Sequence, residues 1–341
     1  DWRTFLADTL RESQIAWGTP NVHYTRQYAG TLPYVYPIWQ TSLWGLGALA
    51  GLLVWSALGA ALVRLYTSPL GRSRWAEVLI LSWAGPYMAF TGLLYAKYLR
   101  YMLPLVPVLC LLAALVLVSN KRYSRPPYQR LAVPSRRALA RWETWALGLG
   151  LLALILYTLA FASIYVEPHS WIKASTWIYR SVAPGSALAV EEWDTALPLP
   201  LNLGGNTRRI EEYDVRVLPL YDEPDDQGKW DKIAVDLAEV DYLIIASRRV
   251  YGSAGHLPDR YPITSRYYEL LFSGELGFQV AQEFTRGPTW LNPRLPPLPN
   301  AAPAALHPDE SFVVYDHPRA LVLENIERLP ASQLLVRLGF H

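Results

Sequence analysis

Apolar and polar positions divide the chain into two regimes. Up to about residue 167, charged residues sit in short clusters between long uncharged runs. Four of these runs have roughly the 20 apolar residues that a 30 Å hydrocarbon core requires. They predict membrane spans at 41–63, 78–96, 101–119 and 144–166. The first places Gly45, Gly47, Gly51 and Gly59 among leucines and alanines, which suits close helix packing in lipid. Pro86, Pro104 and Pro107 interrupt the second and third, so carbonyls freed there need neighbouring helices or a cavity. Ahead of the spans, Asp1 can N-cap an amphipathic helix with Trp2, Phe5, Leu6 and Leu10 at helical spacing. Such a helix suits the membrane interface, or equally a soluble surface. Residues 20–39 break regular structure with Pro20, Pro33 and Pro37 and concentrate tyrosines, as an interfacial belt does.

From Pro168 the pattern shortens. Helical periodicity is predicted over His169–Arg180, Trp230–Glu239 and Ser265–Leu271. Strands are predicted at Ala187–Val190, Val215–Leu220, Tyr242–Ala246, Gly277–Phe284, Ser311–Tyr315 and Ala320–Leu323. Helices alternating with apolar strands argue a compact α/β domain around Leu243, Ile244 and Ile245. Gly287–Pro308 holds seven prolines and reads as an irregular loop. No internal repeat is present. The predicted fold is therefore an α-helical multi-span membrane domain followed by a soluble α/β domain. Its divisions are 1–40 (interfacial helix and loop), 41–167 (membrane domain) and 168–341 (α/β domain).

Charge supports the same boundary. Residues 1–167 carry 15 Lys+Arg against 6 Asp+Glu, and residues 168–341 carry 16 against 23. A 52% hydrophobic content with 14 Trp and 22 Tyr is high for a soluble protein, although a mean hydropathy of +0.10 averages the two halves. The loops 64–74 and 120–142 are basic and acid-free, the second through Lys121, Arg122, Arg125, Arg130, Arg136, Arg137 and Arg141. By the positive-inside rule both are cytoplasmic, which explains the basic loop without nucleic acid. Residues 1–40, the turn at 97–100 and everything after Glu167 then share the extracytoplasmic side of a plasma (inner) membrane. The chain opens at Asp1 without a Met and reads as part of a longer protein.

Candidate chemistry is sparse. One cysteine, Cys110, lies in an apolar run and supports neither a disulfide nor a thiolate metal site. The six histidines lack zinc spacing, no glycine-rich nucleotide fingerprint occurs, and Ser247 and Ser253 lack a nucleophile elbow. No motif names a cofactor. Glu191, Glu192 and Asp194 follow a strand, where ligands bind in α/β sheets, though solvated helix-capping acids are the commoner reading. The run Asp222 to Asp226 fails the calcium-loop pattern and reads as a solvent-facing turn. Gly204-Gly205-Asn206 reads as an isolated turn. The membrane half offers Lys97 and Arg100, two cations where two apolar runs meet. Either they snorkel to headgroups, or, helped by Tyr101 and placed by helical spacing on neighbouring faces, they hold the phosphate of a lipid-linked substrate. Tyr24, Arg26 and Gln27 are candidates for a loop over a substrate cavity.

Three groups of residues carry a resemblance. They are Lys97-Tyr98-Leu99-Arg100-Tyr101-Met102-Leu103-Pro104-Leu105-Val106-Pro107; Tyr24-Thr25-Arg26-Gln27-Tyr28 with Pro33-Tyr34; and Asp309-Glu310-Ser311-Phe312 with Tyr315-Asp316-His317-Pro318. Together they resemble bacterial membrane glycosyltransferases of family 39, relatives of the dolichyl-phosphate-mannose protein mannosyltransferases. The resemblance implies a GT-C architecture, a polyprenyl-phosphate-linked sugar donor, an acceptor protein, glycan or lipid, and inverting transfer outside the cytoplasm. It also implies catalytic acids in a loop after a first span. That span has no counterpart here, and Asp1, Asp8, Glu12 and Glu167 do not match the motif, so no catalytic residue is assigned and this stretch alone is expected to be inactive. Two other readings stay open. One is a non-catalytic membrane-anchored extracytoplasmic binding or assembly protein. The other is part of a transporter, which would place charges at mid-span, where the sequence has none.

Overall fold

The computed structural model describes residues 1–20, 22–67, 75–123, 135–292 and 307–340. It divides into two compact units, one of residues 1–31 with 161–341 and the other of residues 32–160. The N-terminal segment thus splits: its first 31 residues belong with the α/β domain, and the helical unit begins at Leu32 rather than near Thr41. Helix α1 (Trp2–Ala16) is N-capped by Asp1, whose side chain accepts from the Arg3 amide. It leaves Trp2, Phe5, Leu6 and Leu10 exposed and buries Ile15.

The helical unit contains α2 (Val35–Gln40), α3 (Ala48–Thr67), α4 (Trp75–Thr91), α5 (Leu105–Tyr123) and α6 (Ser135–Ala162). Helices α3 and α4 both pack on α5 through Val54, Ala57, Ala61, Ile80, Leu81, Ala84, Leu105, Leu109 and Leu112. Small residues let the backbones approach: a Cβ on Gly51 would strike the Ser42 backbone. Among the described residues, two runs are long and apolar enough to cross a membrane, Ala48–Thr67 and Gly148–Ser181. The predicted spans are also cut differently. The first is broken after the π-turn Thr41–Gly45, where Gly47 adopts φ +79°. The second ends at Thr91 instead of running to Ala96. It stops because Tyr34, itself at φ +60°, donates its amide to the Gly92 carbonyl (3.0 Å) and its hydroxyl to the Ala89 carbonyl (3.0 Å). Those are carbonyls at a helix end that need outside partners. The third begins at Leu105, after a separate 3-10 turn. The fourth is the later part of α6 with the 3-10 turn Ser163–Val166. The basic stretch Arg125–Arg130 lies outside the described residues, as does most of the 64–74 loop.

The α/β unit continues with α7 (Ser170–Ser181), β1 (Ala187–Glu191), β2 (Leu201–Leu203), β3 (Asn206–Arg208), β4 (Asp214–Leu218), α8 (Gln227–Glu239), β5 (Tyr242–Ile245), α9 (Pro262–Ser273), β6 (Phe278–Phe284), α10 (Glu310–Val313), β7 (Ala320–Asn325) and α11 (Ala331–Leu338). The sheet order is β4-β1-β5-β7-β6, with β4, β1 and β5 parallel and β7 antiparallel to both neighbours. Both faces are covered, so β5 is apolar on both sides. Leu243 and Ile245 face α8, α9 and α11 together with Trp230, Leu237 and Leu334, whereas Ile244 faces α7 with Ile178, Leu188 and Val322.

One expectation is corrected here and two are refined. Ser311–Tyr315 is not a strand: Asp309 accepts from the Ser311 amide at 2.9 Å and starts the short helix α10. Gly204 and Gly205, both at positive φ, are the turn of the β2–β3 hairpin, as two-residue hairpin loops require. The 222–226 turn faces solvent at Asp222, Glu223, Pro224 and Asp226, as expected, but its Asp225 side chain turns inward. Buried Asp225 accepts from Lys229 Nζ (2.9 Å), Trp230 Nε1 (2.8 Å), Thr264 Oγ1 (2.8 Å) and the Ile263 and Thr264 amides (2.8 and 2.9 Å), joining the starts of α8 and α9. Burial pushes its carboxyl up, but these donors outweigh that and hold it below the usual aspartate range.

Candidate functional site

The chain leaves β1 toward β4 on one side and returns through α8 to β5 on the other. The switch point of this doubly wound arrangement therefore lies between the carboxyl ends of β1 and β5, where ligands of open α/β sheets bind. Two peptide segments emerge there, Glu191-Glu192-Trp193-Asp194 and Ser247-Arg248-Arg249.

Hydrogen bonds cross between them. Ser247 Oγ donates to Asp194 Oδ2 (2.7 Å), and Arg249 Nη1 donates to the Trp193 carbonyl (3.2 Å). Arg249 Nε also donates to Glu310 Oε1 on α10 at 2.8 Å. Behind them Tyr268 donates to Glu191 Oε1 at 2.6 Å. Burial pushes the Glu191 carboxyl well above its ordinary value, and the half-buried Asp194 is raised for the same reason. Burial also pushes Glu310 up to about 7, although Arg249 pulls the other way.

The 3-10 turn His23–Tyr28 closes on this end of the sheet. Thr25 fixes its start by donating both its amide (3.1 Å) and its hydroxyl (2.9 Å) to the Val22 carbonyl. Gln27 pairs with Glu310 twice: its Nε2 donates to Glu310 Oε2 (3.2 Å), and its Oε1 accepts from the Glu310 amide (3.1 Å). Arg26 is buried, forms an ion pair with Glu223 at 3.2 Å, donates to the Tyr261 hydroxyl, and lies over the Tyr221 and Tyr261 rings at 5.5 and 5.4 Å. The His23 ring sits 4.8 Å from Trp193 and 4.7 Å from Tyr221. Tyr24 is exposed, so of the three predicted loop residues the structure brings Arg26 and Gln27 to the crevice and leaves Tyr24 outside.

In the helical unit, the Lys97–Arg100 segment is not helical throughout. Tyr98 is extended (φ −54°, ψ 134°), and only Leu99–Met102 forms a 3-10 turn. The helical-spacing argument for convergence is thereby removed. Lys97 is 5% exposed, donates to the Tyr95 carbonyl at 3.1 Å, and is pulled by burial down to about 8. Arg100 is exposed, with its guanidinium 4.0 Å over the Tyr98 ring and 5.7 Å from that of Tyr101. Tyr87 on α4 donates to the Tyr101 carbonyl at 2.7 Å and ties the turn to that helix.

Among the described residues, no group of three or more His, Cys, Asp or Glu side chains could hold a metal ion. Trp193, Arg249 and Glu310 escaped the sequence reading as site residues. A tryptophan between two acids just past a strand was a usable signal; Glu310 stood in one of the motifs that carry the resemblance but without a role, and nothing local marked Arg249. Comparisons with protein families, with curated proteins and with solved structures found no match.

Proposed function

We propose that this chain is the carboxyl-terminal part of a multi-pass membrane glycosyltransferase of GT-C type. It moves a sugar from a polyprenyl-phosphate-linked donor to an acceptor on the extracytoplasmic side of the plasma membrane, where the α/β domain also lies. Membrane lipids are its surroundings, and the acceptor is a protein, glycan or lipid. The observation that carries this reading is the break between α4 and α5. There the backbone leaves the helix and gathers a buried Lys97 and an exposed Arg100 among Tyr95, Tyr98 and Tyr101, between two apolar helices. The outward face of α6 supports the membrane part, because Leu149, Leu151, Leu152, Ile155, Leu156 and Leu159 are all exposed.

Arg offers forked donors to phosphate oxygens and Lys a point charge. Charge grows on the leaving phosphate as the sugar departs, so fixed cations stabilise the transition state more than the bound donor. The test is sugar transfer by the full-length protein from a polyprenyl-phosphate donor. Lys97→Ala plus Arg100→Ala should lower turnover by about 10² to 10³ at unchanged expression and folding. Near-normal turnover would return both cations to headgroup anchoring.

A further inference from the structure

We propose that the crevice at the carboxyl ends of β1 and β5 is a saccharide subsite, with Trp193 as the platform on which one face of a sugar ring rests. It rests on the transferase reading only for its role, which is to hold the acceptor.

Trp193 has φ +64°, a left-handed backbone that a side chain bearing Cβ adopts at a cost and that concentrates at functional sites. The fold holds it there through the Arg249 bond to its carbonyl and the His23 ring beside it, yet 53% of the residue stays exposed. An aromatic ring fixed in direction and left in solvent at a switch point is poorly explained as core.

The polar groups of the same peptide segment and of the His23 ring beside it argue for the ligand class. Glu192 Oε2 and His23 Nδ1 are enclosed atoms with no hydrogen-bond partner among the described residues, and so is the deeper Glu191 Oε2. The other acids are already matched, Asp194 by Ser247 and Glu310 by Arg249. A ring hydroxyl can donate to an orphan carboxylate oxygen and can either donate to or accept from an imidazole nitrogen, so a polyhydroxylated ring can meet all three groups, and the competing cationic ligand is what the spermidine arm of the test detects. The C–H face of a sugar carries partial positive charge, which complements the negative face of the indole.

The experiment uses the full-length protein in detergent without donor and records saturation transfer to the protons of glucose, mannose, galactose and N-acetylglucosamine at roughly tens of millimolar. At least one sugar should take up saturation on one ring face. Trp193→Gly keeps the left-handed backbone while removing the ring, and should weaken that binding about tenfold or more; Trp193→Phe should retain part of it. No saturation of any sugar, unchanged binding in Trp193→Gly, or spermidine held at this site in place of sugars would each overturn the proposal. Because no donor is present, a failure of sugar transfer leaves the subsite standing, and a failure of sugar binding leaves the transfer assay standing.

Discussion

Removing Arg26 should release the His23–Tyr28 turn from the α/β domain without unfolding the sheet. Its guanidinium is buried, yet Glu223 is partly exposed and keeps a second partner, Arg260, at 2.7 Å. The 3–5 kcal/mol typical of orphaning a buried charge therefore does not apply in full. What Arg26→Ala loses is one charged hydrogen bond, a solvent-discounted ion pair and two cation–π contacts, about 2–3 kcal/mol together. At about 1.4 kcal/mol per factor of ten, the local opening constant rises roughly 30- to 150-fold. Hydrogen exchange reads this at the amides of Ala29 and Thr31, which bond to the carbonyls of Arg26 and Tyr28 at 3.1 Å each. Arg26→Lys keeps the charge but loses the fork, so it should fall between wild type and alanine. Exchange at those amides unchanged in Arg26→Ala would mean that the turn is held by something other than this cluster.

Ile244→Asp puts an unpaired charge into the α7 side of the sheet, where Ile244 is fully buried, and at several kcal/mol it should abolish the cooperative melt of the α/β unit. A melt like the parent's would show that β5 is not central. For Glu310, folding holds the proton more tightly than the unfolded chain does, since its value rises from 4.5 to about 7. The stability it contributes is complete below about 4.5 and is lost as pH rises through about 7, by at most about 3 kcal/mol. Buried histidines such as His256, which burial pulls down to about 4, titrate with the opposite sign, so the measurement is the difference between wild type and Glu310→Gln from pH 5 to 8. Identical slopes for the two would place the titration elsewhere.

Sequence pattern was informative wherever a segment decides its own conformation. The run Tyr242–Ile245 is apolar on both faces and reads as a two-sided strand. Tyr242, Leu243 and Ile244 do pair with β7. The pattern failed where the partner is remote. Asp225 looked solvated because its carbons are few and its neighbours acidic, yet its partners Ile263 and Thr264 lie 38 and 39 positions away. Glu310 pairs with Gln27 across 283 positions. The second predicted span ran too far for a similar reason: residues 92–96 are apolar enough to continue a helix, but Tyr34, 55 positions before Ala89, occupies its end. Hydrophobicity sets which segments are buried; distant side chains set where the helices stop.

That early stop bears on the basic turn. Had α4 run on through Lys97, both cations would ride on a helix, free to rotate long stems toward water as snorkelling side chains do. The break instead gives each cation a local seat, Lys97 on the Tyr95 carbonyl and Arg100 over the Tyr98 ring. The turn Leu99–Met102, which carries Arg100, is held to α4 through the Tyr87 bond to the Tyr101 carbonyl. A Cβ at Gly92 would run into the Tyr34 ring, so the same glycine that ends the helix admits the side chain that caps it. Electrostatic catalysis works through charges fixed before the reaction, because a charge that must reorganise returns little of its energy to the transition state. On the transferase reading proposed above, a seated pair of cations is what a phosphate-leaving reaction needs.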